Sequence, residues 1–422
     1  MAGAIEFQSL PAGAPRVAVL TPVWGGRDET SWVIRQVAGA LACSAEVHVI
    51  TPGGNEPGLR GDGVFSVHEL ATVDPETEKR RGIILQAVRQ SEPRGAGLRS
   101  QGTDTSAHLE LRKLYDELST ELDDPWEGAS EVIAAVQPDL LVLVDHRQLC
   151  ALEALQRGAP EVPMMLLPVT HDLDTHDVAV FGPVFERSRV ALCVTDSQHS
   201  AVRQLGGPGW ARFVGLPVPV NSSVRREPNA FVGHTDYILV LSDSPMKTEN
   251  PDPLRELLRL RFAPHRIAIS GPDRFVVYQG GIRMHTEPAA RPGSDLMRLI
   301  AWARVTVDLH PGRLIARECL NSMLYGTPVV VPSDSVARHH AELGSGGLWF
   351  DSASELLGCV ETVLRPDVRE VLGRQGQSYA SERYGSSASF TERVRSAVTE
   401  TAPSVVSALG SSDRSSMSTS TD

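Results

Sequence analysis

The sequence predicts an α/β protein made of two Rossmann-like, doubly wound domains that face each other across a cleft. Short apolar runs rich in β-branched residues alternate with helical stretches, which is the pattern of strands buried on both faces of a parallel sheet. The alternation occurs twice, and a stretch rich in Pro, Asn and Ser separates the two series. Because ligands bind at the carboxyl ends of strands in open α/β sheets, the two sheets would border one cleft.

The composition is that of a globular protein with a large core. Of the 422 residues, 41% are hydrophobic and 22% charged. The 52 acidic and 40 basic residues give a net charge of −12. This excess of negative charge argues against nucleic acid or an anionic membrane as the main partner, although peripheral membrane contact stays open.

Cysteine usage and hydropathy predict a cytoplasmic protein. The five cysteines include no CxxC pair, so neither a zinc knuckle nor a disulfide framework is indicated. The first residues lack the basic and apolar regions of a signal peptide. No apolar run reaches the ~18 residues of a transmembrane helix.

The composition shifts along the chain predict the domain boundaries. The N-terminal domain spans residues 1–220 and carries a charged elaboration at about 53–130. A linker at 221–235 leads to the second domain at 236–400, whose terminal helices cross back. Residues 401–422 are mostly Ser and Thr and are expected to be disordered.

The first predicted strand ends in a glycine loop. Residues 17–20 (VAVL) are followed by Gly25, Gly26 and a helix from about Glu29 to Leu41. Glycines let the backbone approach a ligand, and a helix N-terminus offers N–H groups to an anion. The pattern is not GxGxxG, so it carries no dinucleotide fingerprint, and an ordinary strand-to-helix turn fits it equally well.

Two histidines follow further strands of the first domain. His146 comes after residues 140–144 (LLVLV), and His171 and Asp172 come after residues 164–167 (MMLL). A lone histidine is more often a hydrogen-bonding loop residue, but two at equivalent strand ends favour a shared site. Neither has metal-ligand spacing, so no metal site is predicted. The other strands predicted in this domain are residues 46–50 and 190–194.

The most informative stretch of the second domain is residues 305–331. It predicts a strand to Leu309, a loop at His310, a helix from Arg313 to about Tyr325 and a stop at Gly326. Glu318, near the start of this helix, could accept two hydrogen bonds from a vicinal diol such as a ribose. An exposed glutamate in a salt bridge would have the same spacing.

A lone lysine follows the first strand of the second domain. Residues 238–241 (ILVL) precede Lys247, which suits a cation facing a phosphate. A solvated loop lysine is nearly as good an explanation. The other strands predicted in this domain are residues 266–270, 275–278, 305–309 and 329–331.

These residues in this order resemble the GT-B fold glycosyltransferases, specifically the retaining group 1 (family 4) type. The resemblance runs from about Pro15 to Val398. The motifs that carry it are residues 21–26 (TPVWGG), 138–146 (PDLLVLVDH), 194–197 (VTDS), 318–330 (ECLNSMLYGTPVV) and 382–384 (ERY).

The resemblance implies a glycosyltransferase that moves a sugar from a nucleoside diphosphate donor to an unidentified acceptor. Transfer would retain configuration and need no metal ion or cofactor. The first domain would bind the acceptor and the second the donor. Carried over by position, Glu318 would hold the ribose, while Lys247, Gly312 and Arg313 would face the diphosphate.

The remaining carried-over roles concern the transferred sugar and the acceptor. His146 would lie near the transferred sugar, with His310 as the second catalytic residue. The pair Gly25–Gly26 would close over the phosphates. His171 and Asp172 would line the cleft on the acceptor side.

Three positions depart from the family pattern. His310 stands where the paired-glutamate (E-x7-E) motif has its first glutamate, and residues 311–313 replace the glycines that follow it. Ser242 and Asp243 replace the Gly-Arg that ends the first strand of the second domain. Two alternatives therefore stay open: a binding or partner protein of the same fold that has lost catalysis, and a sugar-nucleotide epimerase.

Overall fold

A computed structural model describes most of the chain. The described residues are 14–24, 29–52, 65–70, 126–170, 173, 175–206, 209–218, 237–242, 253–262, 265–270, 274–279, 282–288, 294–310 and 314–403. They divide into two compact units. The N-terminal unit holds residues up to Val194, Gln198–Val214 and those from Thr391 onward, and the C-terminal unit holds Thr195–Ser197 and Gly215–Phe390.

The N-terminal unit is built on a parallel sheet of seven strands in the order β3-β2-β1-β4-β5-β6-β7. Its strands are β1 (Arg16–Leu20), β2 (Glu46–Thr51), β3 (Phe65–Glu69), β4 (Leu140–Val144), β5 (Met164–Leu167), β6 (Val190–Cys193) and β7 (Ala211–Phe213). The helices between these strands are α1 (Glu29–Ala42), α2 (Ala129–Val136), α3 (Leu149–Gly158), α4 (Thr175–Arg187) and α5 (Asp196–Gly206). The five strands predicted from apolar runs are all present.

The C-terminal unit contains a second seven-stranded sheet, in the order β11-β10-β9-β8-β12-β13-β14. Its strands are β8 (Tyr237–Leu241), β9 (Arg266–Ser270), β10 (Arg274–Gln279), β11 (Ile282–Pro288), β12 (Ala303–Asp308), β13 (Val329–Pro332) and β14 (Gly347–Phe350). β10 is antiparallel to both β9 and β11, and the other pairings are parallel. The antiparallel β10–β11 hairpin at one edge is not part of the predicted pattern.

The remaining helices complete the second unit, except that most of the last one belongs to the N-terminal unit. They are α6 (Pro253–Arg261), α7 (Ser294–Trp302), α8 (Arg317–Leu324), α9 (Val336–Leu343), α10 (Ala353–Leu364), α11 (Pro366–Tyr384) and α12 (Ser387–Thr401). Among the helices that the structure describes, none is long and apolar enough to cross a membrane.

The strand order in both sheets reverses beside the first strand. In the N-terminal sheet β1 lies between β2 and β4, and in the C-terminal sheet β8 lies between β9 and β12. The crevice beyond the carboxyl ends of such a pair of strands is where open α/β sheets bind ligands. Two of the strands at these points, β4 and β8, are buried over their whole length. This is expected of strands whose two faces are both covered by helices.

The helix that carries Glu318 begins later than predicted. The sequence predicts that this helix starts at Arg313, but α8 begins at Arg317. Ala316 has a φ of 51°, in the left-handed region, so the residues before Arg317 cannot continue a right-handed helix. The predicted stop is confirmed, since Gly326, with a φ of 71°, follows the end of α8.

Several predicted segments lie outside the described residues. They are the linker at 221–235, most of the elaboration at 53–130 and the tail beyond residue 403.

Candidate functional site

The strand-order reversal of the C-terminal sheet holds a buried aspartate–histidine pair. β12 ends at Asp308, which is 1% exposed, and His310 follows two residues later. His310 Nδ1 lies 2.6 Å from Asp308 Oδ1, and the His310 backbone N–H donates to the same oxygen at 3.1 Å. A carboxylate so placed accepts from the ring N–H at Nδ1 and fixes the orientation of the imidazole.

The register of the sheet places Asp308 and His310 at the carboxyl ends of its strands. Asp308 is in register with Leu241 at the end of β8, and Leu309 N donates to Leu241 O at 2.9 Å. Ser242 follows β8 and is buried. The two strands therefore present Ser242 and His310 at the same edge of the sheet, where a ligand of an open α/β domain is expected.

Glu318 is a buried carboxylate in the first turn of α8. It is 5% exposed, and its Oε1 accepts from Arg317 Nη2 at 3.3 Å. The sequence alone allowed an exposed glutamate in a salt bridge, but the structure buries this side chain almost completely. A carboxylate in the first turn is favoured by the partial positive charge of the helix N-terminus.

Cys319 follows Glu318 in α8 and is fully buried. The pKa of its thiol is raised well above the ordinary value, first by burial and then by the negative charges of Asp308 and Glu318. Both carboxylates therefore act on the same sulfur. The thiol stays protonated at neutral pH, so Cys319 is a packing residue, not a nucleophile.

His340 supports the segment that leads into α8. It is 1% exposed, its Nε2 lies 3.0 Å from the carbonyl oxygen of Ile315, and its Nδ1 lies 3.1 Å from the hydroxyl of Tyr379. Burial lowers the pKa of His340 to about 4. The ring is thus neutral at pH 7 and donates from Nε2 to Ile315, one residue before the left-handed Ala316.

Asp196 extends this network, and sequence analysis missed it as a site residue. It accepts hydrogen bonds from Tyr379 at 3.0 Å, from Tyr384 at 3.1 Å and from both the Nε and Nη2 of Arg383. Burial alone would raise its pKa, but the hydrogen bonds and charge of Arg383 outweigh burial and lower it. The carboxylate of Asp196 thus joins two motifs that are far apart in sequence, residues 194–197 and residues 382–384.

The corresponding point of the N-terminal sheet holds His146. It follows β4 and Asp145, and it is fully buried. Its Nε2 lies 3.0 Å from Asp177 Oδ1, and its ring packs 5.4 Å from Phe181 and 5.5 Å from Phe185, centroid to centroid. Phe181 lies at a kink in α4, where its backbone angles are not helical, and Asp177 and Phe185 come from the two sides of this kink.

The loop before His146 has an unusual backbone. Asp145 has a φ of 70°, and its Oδ1 accepts from Arg147 Nε at 2.8 Å. That oxygen lies 3.6 Å from His146 Nδ1, too far for a hydrogen bond. A non-glycine residue in the left-handed region costs roughly 1–3 kcal/mol and is often found at functional sites.

The other predicted site residues lie outside the described part of the chain. They are Gly25, Gly26, His171, Asp172, Lys247, Gly312 and Arg313. Their roles stay predictions. Within the described residues, no three His, Cys, Asp or Glu side chains converge to hold a metal ion.

Comparison with known proteins identifies the fold. No protein-family model matches the chain, and no curated protein matches its sequence. Solved structures do match over nearly the whole chain. An α,α-trehalose 6-phosphate synthase from Burkholderia multivorans is 12% identical, with 97% of this chain and 100% of that one covered and a TM-score of 0.56.

Two further structures agree. HepE from Anabaena, solved in complex with UDP and glucose, is 12% identical, covers 92% of this chain and 100% of its own, and gives a TM-score of 0.52. A glycosyltransferase from Rickettsia africae is 10% identical, with 92% and 98% covered and a TM-score of 0.54. At these identities the likeness concerns the fold, and it is the GT-B fold of glycosyltransferases.

Proposed function

We propose that the protein is a glycosyltransferase that moves a sugar from a nucleoside diphosphate donor to an acceptor, with retention and without a metal ion or cofactor. The observation that carries the proposal is the buried group formed by Asp308, His310 and Glu318 at the ligand-binding edge of the C-terminal sheet. The fold supports it, since HepE of the same fold was solved with UDP and glucose. The acceptor and the donor base stay unidentified, and a cytoplasmic location is part of the proposal.

Glu318 is proposed to bind the ribose of the donor. Its carboxylate has two oxygens that each accept hydrogen bonds, and Arg317 donates to Oε1 at 3.3 Å. Two hydroxyls of a vicinal diol can donate to such a group together. A hydrogen bond to a charged group contributes about 1.5–3 kcal/mol, so the ribose would be a main source of donor affinity.

His310 is proposed to stabilise the departing diphosphate. When the bond to the sugar breaks, negative charge grows on the phosphate oxygens, and cations or N–H groups held in place lower that barrier. The His310 ring, held through Nδ1 by Asp308, is proposed to face the phosphate. The N-terminus of α8 adds partial positive charge, and Lys247, Gly312 and Arg313 are proposed to join it.

The acceptor is proposed to bind the N-terminal unit, near His146, His171 and Asp172. Gly25 and Gly26 are proposed to close over the phosphates. His146 is fully buried, so its proposed contribution is to hold Asp177 and the loop at Asp145 in place.

The first test is nucleotide binding. UDP, GDP and ADP are titrated by calorimetry into the wild-type protein, with and without Mg²⁺. Glu318→Gln is expected to weaken binding of the preferred nucleotide about 10- to 100-fold, because one neutral amide oxygen replaces the carboxylate. Glu342→Gln, which alters an exposed glutamate on α9, is the matched control and is expected to bind like the wild type.

Binding by Glu318→Gln equal to the wild type would overturn the ribose assignment. Catalysis is tested separately with the matching nucleotide sugar, followed by NMR of the anomeric proton. Transfer to water or to an added sugar with the donor's anomeric configuration supports the proposal. Release of an inverted product, an epimerised donor or an unchanged donor contradicts it.

A further inference from the structure

Two histidines lie side by side in the N-terminal sheet, away from its ligand-binding edge. His48 is in β2 and His68 is in the edge strand β3. His48 is in register with Ser66, and His68 lies two residues further, so the side chains share one face of the sheet. His48 Nδ1 is 3.1 Å from His68 Nε2, and the rings are stacked with centroids 5.4 Å apart and planes at 23°.

The pair lines a cavity of about 450 Å³ beside the last turns of α2. Arg16 and Glu46 are the other charged residues of its lining. Arg16 is held at the rim, because its Nη1 donates to the Val136 carbonyl at 2.7 Å. Small solutes therefore have room to reach the two imidazoles.

Glu46 lies beside the His48 nitrogen that does not face His68. Its Oε1 is 3.2 Å from His48 Nε2, an ion-pair distance, but the two atoms do not have the geometry of a hydrogen bond. A metal-binding imidazole is usually supported by a carboxylate at its other nitrogen, and Glu46 is close enough to take that position.

We propose that His48 and His68 bind a divalent copper or nickel ion, with water in the remaining coordination positions. Metal–imidazole bonds are about 2.0–2.1 Å, so two nitrogens 3.1 Å apart subtend about 95–102° at a shared ion. That range lies nearer the roughly 90° between neighbouring ligands in tetragonal and octahedral sites than the roughly 109° of a tetrahedral zinc site. Tetragonal nitrogen and oxygen sites select Cu²⁺ or Ni²⁺.

The proton balance of binding follows from the tautomers. In the metal-free pair, one of these two nitrogens carries the proton of the hydrogen bond and donates to the lone pair of the other. When the ion enters, the donating ring moves that proton to its other nitrogen through solvent, and both lone pairs then face the ion. No net proton is released, and the water ligands fill the cavity side. Glu46 keeps its place against His48 Nε2.

The test is Ni²⁺ titration of the full-length protein by calorimetry, with Cu²⁺ electron paramagnetic resonance alongside. The wild type is expected to show one Ni²⁺ site. His68→Gln and His48→Gln are each expected to bind Ni²⁺ at this site at least tenfold more weakly. Glu46→Gln is expected to weaken this site about tenfold. His265→Gln, which removes a histidine of the other unit, is the control and keeps the site.

The copper spectrum gives a second reading that does not depend on other metal-binding residues. The wild type is expected to show hyperfine coupling to two nitrogens that is lost in His68→Gln. Circular dichroism of each metal-free variant checks that it is folded. If both histidine variants bind Ni²⁺ in the same number and with the same affinity as the wild type, or if two-nitrogen coupling persists in His68→Gln, the proposal is wrong.

Discussion

His146 and His310 occupy equivalent places in the two sheets, yet their surroundings differ. Each follows the strand beside the first strand of its sheet, and each has an aspartate within hydrogen-bond distance. His146 is fully buried against two phenylalanines, and its aspartate comes from a helix. The partner of His310 is Asp308 at the end of its own strand, and the His310 side chain keeps 8% of its surface exposed.

The difference teaches that position in the fold does not decide what a histidine does. A ring enclosed on all sides contributes through packing and through its fixed hydrogen bond. A ring held at one nitrogen by a strand-end carboxylate, with part of its surface exposed, can act on a ligand. The two residues should therefore respond in opposite ways to the same substitution.

The largest expected effect is on stability, at His146. His146→Ala removes a fully buried ring and leaves Asp177 without its 3.0 Å partner. We expect the free energy of unfolding to fall by about 3–4 kcal/mol, by analogy with large-to-small substitutions in cores. Urea unfolding followed by circular dichroism measures this. His265→Ala, at a half-exposed position, should lower the free energy of unfolding by less than about 1 kcal/mol. Equal losses in the two variants would contradict the structural role given to His146.

The next effect is on catalysis, at His310. His310→Ala should lower the turnover of donor about 100-fold, the loss typical for one group that stabilises transition-state charge. Its unfolding midpoint should stay close to that of the wild type. Asp308→Asn keeps the ring but removes the carboxylate that fixes its proton, so it should lower turnover too. Steady-state kinetics decides, and an active His310→Ala variant would show that the site works without this ring.

A third buried histidine gives the smallest effect, and it depends on pH. The pKa of His340 is about 4 in the folded protein against an ordinary value of 6.5. Between these values the unfolded chain binds a proton that the folded chain does not. Stability from this group is complete above about pH 6.5 and falls by about 2 kcal/mol on going to pH 5.

His340→Gln removes this titration. Its melting temperature should therefore change less between pH 7.5 and pH 5 than that of the wild type, while His265→Gln should follow the wild type. Differential scanning calorimetry at several pH values measures both. Parallel curves for His340→Gln and the wild type would show that His340 titrates alike in the folded and unfolded states.

Much of the fold could be read from the sequence because buried parallel strands are apolar on both faces. β4 and β8 are uninterrupted runs of Leu, Val, Ile and Tyr, and both were predicted. β3 was missed, since this edge strand alternates half-buried and exposed residues and contains Ser66, His68 and Glu69. β7 was missed because it has only three residues.

The candidate site was harder to predict. His310 and Glu318 could be found from their positions after a strand and at the start of a helix. Asp308 was treated as part of its strand, and nothing in the local pattern marks it as the partner of His310. Asp196 and Arg383 are 187 positions apart, and only the folded chain brings them together.

The division of the chain into units has a consequence for its synthesis. α12, at the end of the described chain, belongs mostly to the N-terminal unit, where Glu400 accepts from Arg212 Nε at 2.6 Å and the Thr401 carbonyl accepts from Arg189 at 3.1 Å. Domains generally fold in order as they leave the ribosome. Here the N-terminal unit is completed by residues that follow the C-terminal unit in sequence, so Arg189 and Arg212 stay without these partners until the C-terminal unit has been made.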